Sequence, residues 1–186
     1  MKRLFAAIKV HPSEEFLTRY YALKRNLKDE KIRWVDPENI HITLKFFGET
    51  PGHHIPAINA ALQQSAAGLA AFDLSITSTG IFGSSYQPKV IWFGIEPHED
   101  IIRLSESILT ELENTGMERD RQNFVPHLTI ARIKHLEDKK YFQKVIDHNK
   151  EDFIQKEEVN AFHLFESMLK PGGAEYTVIG SYSLLL

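Results

Sequence analysis

The sequence predicts an α+β fold in which two pseudo-symmetric lobes with antiparallel sheets enclose a central cleft. Segments that alternate like strands are interspersed with segments of helical periodicity and with hairpin-like turns, which favours this class over a doubly wound parallel sheet. A histidine–aliphatic–threonine motif occurs at His41 and again at His127, 86 positions later, and this distance is close to half of the chain. No linker or low-complexity tract divides the 186 residues, so we expect a single domain over 1–186.

The first half of the chain alternates strand and helix signals. Residues 3–10 are almost wholly apolar, which is typical of a strand buried on both faces. Ser13 precedes two acidic residues and a helical apolar stripe, so it is the predicted N-cap of a helix. Turn residues at 36–39 lead into a strand that ends at Gly48, and residues 51–69 have helical spacing.

The second half of the chain continues with both kinds of element. Besides the strand at the second motif, four strands are predicted at 72–77, 89–95, 156–165 and 176–186. The first two are joined by a loop or hairpin over 80–88, and the last two through Pro171-Gly172-Gly173. Helices are predicted over 100–115, where Gly116 ends the apolar stripe, and over 138–149.

Composition and charge exclude several classes of function. The chain has no cysteine, which excludes a thiol nucleophile, a disulfide framework and thiolate metal ligands. The N-terminus does not have the pattern of a signal peptide, and no stretch approaches the roughly 18 consecutive apolar residues of a membrane span, so we expect a cytoplasmic protein. A net charge of −3 and a pI of about 6.3 argue against binding along a long phosphate backbone. A small phosphorylated substrate, or an RNA end held by a local basic cluster, suits this charge.

The two histidine–x–threonine motifs are the main candidates for chemistry. Side chains two apart in a strand lie on the same face, so the pattern places His41, Thr43 and Lys45 together, opposite the aliphatic residues between them. His127 and Thr129 repeat the arrangement. Two polar strand faces with incidental histidines are the simpler interpretation, and the sequence pattern alone leaves it open.

Two imidazoles that face one another suit the chemistry of a phosphodiester. A neutral imidazole accepts a proton from a nucleophile, and an imidazolium donates one to a leaving group, each transfer contributing roughly 10² to 10⁴ in rate. The threonine hydroxyls can donate hydrogen bonds to the non-bridging phosphate oxygens. Arg132 lies five residues after His127, on the opposite face of an ideal strand, so it reaches the phosphate only if the strand bends or ends there.

Other candidate residues carry weaker signals. No His-Glu-x-x-His motif or carboxylate cluster accompanies His53-His54, so we expect an exposed loop there rather than a metal site. Lysines at 134–144 are mixed with acidic residues, which favours a solvated helix face. Phe5 and Trp34 are compatible with base stacking and equally with core packing. No nucleotide-binding loop is present in the sequence, and we expect no cofactor.

The segments around both motifs resemble the RNA 2′,3′-cyclic phosphodiesterase group of the 2H phosphoesterases, also called 2′-5′ RNA ligases or LigT-like proteins. The resemblance is carried by residues 3–8, 33–49, 124–132, 164–167 and 171–176. The long segment at 33–49, which contains the first motif, is the most specific of these.

The resemblance implies metal-independent hydrolysis of an RNA 2′,3′-cyclic phosphate to a 2′-phosphate, with 2′-5′ ligation as the reverse chemistry. It implies that His41 is the proton donor to the leaving 3′-oxygen and that His127 is the proton acceptor that activates water. It also implies that Thr43 and Thr129 hold the phosphate. A non-catalytic nucleotide-binding module, or a phosphodiesterase for another small cyclic phosphate, is the alternative. We expect RNA ends or small cyclic nucleotides as partners, and a monomer.

Overall fold

Nine strands and four helices alternate along the part of the chain that the computed structural model describes, which is residues 1–84, 86–119, 124–150, 153–171 and 173–185. The first half contains β1 (Lys2–Lys9), α1 (Glu14–Asn26), β2 (Lys31–Trp34), β3 (His41–Thr50), α2 (Ile55–Ala66) and β4 (Phe72–Ser84). The second half contains β5 (Gln87–Glu96), α3 (Glu99–Asn114), β6 (Leu128–His135), α4 (Lys139–His148), β7 (Phe153–Val159), β8 (Ala161–Lys170) and β9 (Gly173–Ser183). Short 3₁₀ helices at Pro37–Asn39 and Gly52–His54 precede β3 and α2.

The strands form two antiparallel sheets. The first sheet has the order β3-β1-β8-β9, and the second has the order β2-β6-β5-β4-β7. One continuous hydrophobic core includes residues from both sheets and from all four helices. The α+β class and the antiparallel sheets predicted from the sequence are therefore confirmed.

The two halves of the chain exchange elements between the sheets. The first half places β1 and β3 in the first sheet but β4 in the second, whereas the second half places β5 and β6 in the second sheet but β8 in the first. Helices cross over in the same way, because α1 packs against β7 and α3 contacts β3. The order of elements along the chain does not repeat between the halves. The internal symmetry predicted from the motif spacing is present instead in the sheets, where the order β3-β1-β8-β9 corresponds to β6-β5-β4-β7, with β2 added beside β6. Each sheet is assembled from both halves of the chain.

The local signals for the helix ends are confirmed. The Ser13 hydroxyl accepts a hydrogen bond from the Phe16 N–H at 3.2 Å, as an N-cap does at the start of α1. Gly116 has φ of +88°, and its N–H donates to the Glu113 carbonyl at 2.8 Å, which closes α3. Asp138 caps α4 by accepting from the Tyr141 N–H at 2.9 Å.

One strand prediction needs correction, and the structure decides between the loop and the hairpin predicted over 80–88. The single strand predicted over 156–165 is wrong, because the chain bends at Asn160 and passes from β7 in the second sheet to β8 in the first. The connection predicted over 80–88 is a hairpin in which β4 continues to Ser84 and β5 begins at Gln87. Three residues that fall within the predicted segments, Ser85, Gly172 and Leu186, lie outside the described residues.

Candidate active site in the cleft between the sheets

A cleft of about 1260 Å³ is lined by residues of both sheets, of α1 and of the β8–β9 hairpin. His41 and Thr43 reach it from β3 in the first sheet. Thr129 reaches it from β6 in the second sheet, and His127 lies directly before that strand. The structure thus brings both motifs to one cleft, as the motif spacing predicted.

A β-bulge follows Thr43 and changes which residues of β3 line the cleft. Leu44 is an extra residue, because the pairing with β1 passes from Thr43 directly to Lys45. Beyond the bulge the alternation is reversed, so Phe46 lines the cleft while Lys45 lines a separate small cavity next to α3. The prediction that Lys45 shares the face of His41 is therefore wrong, because the alternation of an ideal strand does not continue across a bulge.

The same irregularity in β6 places Arg132 at the cleft. Here Ile130 is the extra residue, because the pairing with β5 passes from Thr129 directly to Ala131. Arg132 consequently lines the cleft together with His127, although an ideal strand would point it to the other face. This bulge is the bend that the sequence prediction for Arg132 required.

Each catalytic candidate is oriented by the backbone carbonyl two residues before it. The His41 Nδ1 lies 2.7 Å from the Asn39 carbonyl oxygen, and the His127 Nδ1 lies 2.8 Å from that of Val125. A carbonyl oxygen only accepts hydrogen bonds, so Nδ1 carries the hydrogen in both rings. In both histidines Nε2 is therefore the nitrogen that gains or loses the proton.

Aromatic rings pack against both imidazoles. Phe5 and Tyr176 lie against His41, with ring centroids at 4.9 and 5.4 Å. Phe82 meets His127 edge-on at 4.7 Å. Phe5 is only 3% exposed, so it packs and orients a catalytic candidate rather than offering a free ring to a base. Trp34, the other aromatic candidate, is half-buried and lines the cleft.

The pKa values of both histidines are lowered below the ordinary value. Burial is the largest cause for His41 and for His127, while the hydrogen bond to the backbone carbonyl acts in the opposite direction. The positive charge of Arg132 lowers both pKa values further, and His127 adds to the effect on His41. Both imidazoles therefore favour the neutral form in the free protein.

The cleft is positively charged although the whole chain carries a net charge of −3. Its basic residues are Arg3, Lys24, Arg33, Arg132, Lys134 and Lys170, and its acidic residues are Asp36, Glu38 and Glu175. Among the described residues, only Lys170 of these six forms an ion pair, with Glu175 at 2.5 Å. This is the local basic cluster that the charge analysis favoured. Of the lysines at 134–144, Lys134 belongs to the cleft, while those of α4 are exposed.

The described residues contain no group of three or more histidine, aspartate or glutamate side chains placed to hold a metal ion. His53 and His54 are exposed in a 3₁₀ helix with their rings edge-on at 4.3 Å, close to the exposed loop that was predicted. In the same described ranges, no helix is long and apolar enough to cross a membrane.

Comparison with known proteins decides the family. Residues 12–167 match the family model described as the 2′-5′ RNA ligase superfamily. The chain belongs to this superfamily. The RNA 2′,3′-cyclic phosphodiesterase of Thermotoga maritima is 34% identical over 147 residues, which cover 78% of this chain and 76% of that protein. The protein of the same name from Archaeoglobus fulgidus is 32% identical over 174 residues, covering 94% and 96%.

Solved structures of similar fold can be aligned with nearly the whole of this chain. The crystal structure of TT0787 of Thermus thermophilus has a TM-score of 0.79 at 27% identity, covering 98% of this chain and 97% of that one. The crystal structure of E. coli LigT complexed with 3′-AMP has a TM-score of 0.80 at 23% identity, covering 100% and 99%. The LigT-like fold that the resemblance implied is thereby confirmed.

Four residues at the cleft were missed by reasoning from residue patterns, namely Arg3, Arg33, Phe46 and Tyr176. None of them belongs to a histidine–x–threonine motif, and strand alternation gives no reason to single them out. All four nevertheless lie within the segments that carry the family resemblance. That resemblance is the signal that could have found them.

Proposed function

We propose that this protein hydrolyses the 2′,3′-cyclic phosphate at an RNA end to a 2′-phosphate, with His41 and His127 as acid and base and without a metal. The observation that supports the proposal is the pair of imidazoles from different sheets in one positive cleft, each with its Nδ1 hydrogen bonded to the backbone. Two curated relatives named RNA 2′,3′-cyclic phosphodiesterase agree with it. The cleft volume of about 1260 Å³ exceeds that of most small-molecule sites, which favours an RNA end over a mononucleotide.

The reaction is an in-line attack of water on the cyclic phosphorus. The neutral Nε2 of His127 accepts a proton from water as its oxygen bonds to phosphorus. The bond from phosphorus to O3′ breaks, and protonated Nε2 of His41 gives its proton to O3′. The products are a 2′-phosphate and a free 3′-hydroxyl. The same step with an RNA 5′-hydroxyl in place of water, again with O3′ as the leaving group, forms a 2′-5′ linkage. The two imidazoles are held alike, so the direction of transfer rests on the family resemblance.

Substrate binding favours the imidazolium form of His41, which is the form that can donate a proton. In the free protein the pKa of His41 is lowered, chiefly by burial, which disfavours the imidazolium. A phosphate anion in the cleft stabilises a positive charge on the neighbouring ring and raises this pKa again. Proton donation from His41 is thereby coupled to the presence of substrate.

Three further side chains are placed to hold the non-bridging phosphate oxygens. The hydroxyls of Thr43 and Thr129 lie beside the histidines on the cleft face. Arg132 has no carboxylate within ion-pair distance among the described residues, so its guanidinium is available for phosphate. These donors stabilise the negative charge that grows on the oxygens in the transition state.

The deciding experiment is product analysis with an oligonucleotide that ends in a 2′,3′-cyclic phosphate. We expect a 2′-phosphate, unchanged turnover in excess chelator, and loss of turnover in His41→Ala and His127→Ala. His54→Ala removes an exposed histidine outside the cleft and is the matched control. Full activity in either cleft variant would falsify the two-histidine mechanism, and a 3′-phosphate product would contradict the assigned bond cleavage.

The same experiment separates the two remaining alternatives. A non-catalytic binding module would bind the oligonucleotide without turnover. A phosphodiesterase for another cyclic phosphate would turn over small cyclic substrates faster than the RNA end. The cytoplasmic location and the monomeric state remain predictions, and sedimentation of the purified protein tests the second.

A further inference from the structure

A cluster of three arginines around Tyr176 adjoins the histidines, and the reaction proposed above uses only one of them. The Tyr176 ring packs edge-on against His41 at 5.4 Å. Arg3, Arg33 and Arg132 line the same cleft, and each is close enough to act on the Tyr176 hydroxyl, opposing the rise in its pKa that burial causes. The tyrosine hydroxyl itself makes no hydrogen bond within the described part of the chain.

Two of these arginines face each other directly. Arg33 of β2 is the cross-strand partner of Arg132 of β6, and both side chains line the cleft. Like charges directly opposite one another in a sheet are destabilising. In the described ranges neither arginine has a carboxylate within ion-pair distance to relieve the repulsion. Such a pair is stabilised when an anion binds.

Arg3 and Arg33 each lie against a residue outside the two histidine–x–threonine motifs. The Arg33 Nη2 lies 3.8 Å from the position that a β-carbon at Gly173 would occupy, so this side chain reaches the tip of the β8–β9 hairpin. The Arg3 guanidinium lies over the exposed ring of Phe46, 5.1 Å from its centroid. Arg132, on the strand of the second motif, is the arginine that the proposed reaction uses at the reacting phosphate.

We infer that Arg3, Arg33 and the Tyr176 hydroxyl form a second phosphate subsite, which binds the phosphate on the 5′ side of the terminal nucleoside. In an RNA that ends in a cyclic phosphate, this 5′-phosphate is the nearest other phosphate to the reacting one. It lies one nucleoside away from the reacting phosphate, and both groups of donors line the same cleft. The inference rests on the proposed function and names a feature of its substrate, a phosphate 5′ to the cyclic end.

Two substrates that differ by one phosphate test the subsite. They are adenosine 2′,3′-cyclic phosphate and the same compound with a 5′-phosphate. We expect the 5′-phosphate to raise kcat/KM about tenfold, mainly through KM, because a charge-assisted hydrogen bond typically contributes an effect of this order. The advantage is expected to fall with rising salt.

Substitutions then test whether the gain in kcat/KM from the 5′-phosphate depends on Arg3, Arg33 and Tyr176. In Arg33→Gln and in Arg3→Gln, the ratio of kcat/KM between the two substrates is expected to fall toward one, with a smaller fall in Tyr176→Phe. Arg25→Gln makes the same change of charge on exposed α1 outside the cleft, and it is expected to keep the full ratio. A ratio of one in the unmodified protein, or a ratio unchanged in both arginine variants, would overturn the inference. An equal loss on both substrates would also overturn it, because it would place Arg33 on the reacting phosphate.

Binding without turnover separates this inference from the proposed function. Calorimetry is done with adenosine 2′-phosphate and adenosine 2′,5′-bisphosphate on the unmodified protein and the same variants. Tighter binding of the bisphosphate that is lost in Arg33→Gln supports the subsite, even if the protein hydrolyses neither cyclic compound. Equal affinity for the two compounds in the unmodified protein contradicts it, even if both cyclic compounds are hydrolysed.

Discussion

The strands β3 and β6 carry the same motif and the same bulge, yet they build different halves of the cleft. In each strand the extra residue comes directly after the motif threonine, at Leu44 in β3 and at Ile130 in β6. The fifth residue after each histidine therefore lines the cleft. It is Phe46 on one side and Arg132 on the other.

The neighbours of the two strands differ as well. β3 is an edge strand of the first sheet, whereas β6 of the second sheet is hydrogen bonded to β2 on its outer side. The extra strand brings Arg33 and Trp34 to the cleft, next to Arg132. The repeated backbone supplies two equivalent positions for a histidine, whereas the residues beside them differ. Phe5 and Tyr176 pack against His41, and the strand of the second motif carries Arg132 with Arg33 opposite it. Symmetry of the fold therefore accounts for the two imidazoles, and we propose that the unlike neighbours account for phosphate binding.

The strongest test of whether the two motifs are functionally equivalent is to replace each histidine in turn. We expect His41→Ala and His127→Ala each to lower kcat by roughly 10² to 10⁴, because each removes one proton transfer. The double variant is expected to be no slower than the slower single variant, since the two groups act in one step. Single-turnover rates measure this. Strictly additive losses would show that the two motifs act independently.

The shared core predicts that damage in either sheet destabilises the whole molecule. Ile42→Ala in β3 and Leu128→Ala in β6 each truncate a fully buried side chain, at a cost of about 2–5 kcal/mol in the free energy of unfolding. We propose that residues 1–186 form one domain, so both variants are expected to unfold in a single transition. Denaturation followed by fluorescence and circular dichroism checks this. Two separate transitions would contradict the single domain.

The fifth residues after the two histidines, Phe46 and Arg132, differ in charge, so replacing them is expected to affect substrate binding differently. Arg132→Gln is expected to lower kcat/KM roughly 10- to 100-fold, because it removes charge-assisted hydrogen bonds to the phosphate. Phe46→Leu, the corresponding change in β3, is expected to cost less than about threefold, because an apolar side chain is kept. Steady-state kinetics on a cyclic-phosphate oligonucleotide measures both. Equal losses in the two variants would remove the distinction drawn between the strands.

The charge of Arg132 also predicts a shift along the pH axis. Arg132 lowers the pKa of both His41 and His127, so replacing it with glutamine is expected to raise both values. Because the proposed mechanism needs one neutral and one protonated imidazole, we expect a bell-shaped pH–rate profile. Both of its limbs are expected to move to higher pH in Arg132→Gln, as are the histidine titrations followed by NMR. Lys134→Gln, another cleft cation, serves as the control for net charge. Unshifted histidine titrations in Arg132→Gln would contradict this electrostatic role.

Local patterns in the sequence were sufficient for the four helices and for the pair of motifs. The Ser13 cap and the glycine at position 116 act within one helical turn, so both helix ends can be predicted from neighbouring residues alone. The two histidine–x–threonine motifs could be paired because their repetition is visible along the chain. Their meeting in one cleft followed from that repetition.

Tertiary structure alone decided which residues accompany the histidines. A bulge depends on the register with a partner strand, which is why Lys45 left the cleft and Arg132 entered it. The change of sheet at Asn160 likewise depends on which strands accept β7 and β8. Arg33 approaches Gly173 only because β2 and the β8–β9 hairpin come from different sheets and face each other across the cleft. Alternation and capping are short-range properties of the chain, whereas these meetings depend on long-range packing.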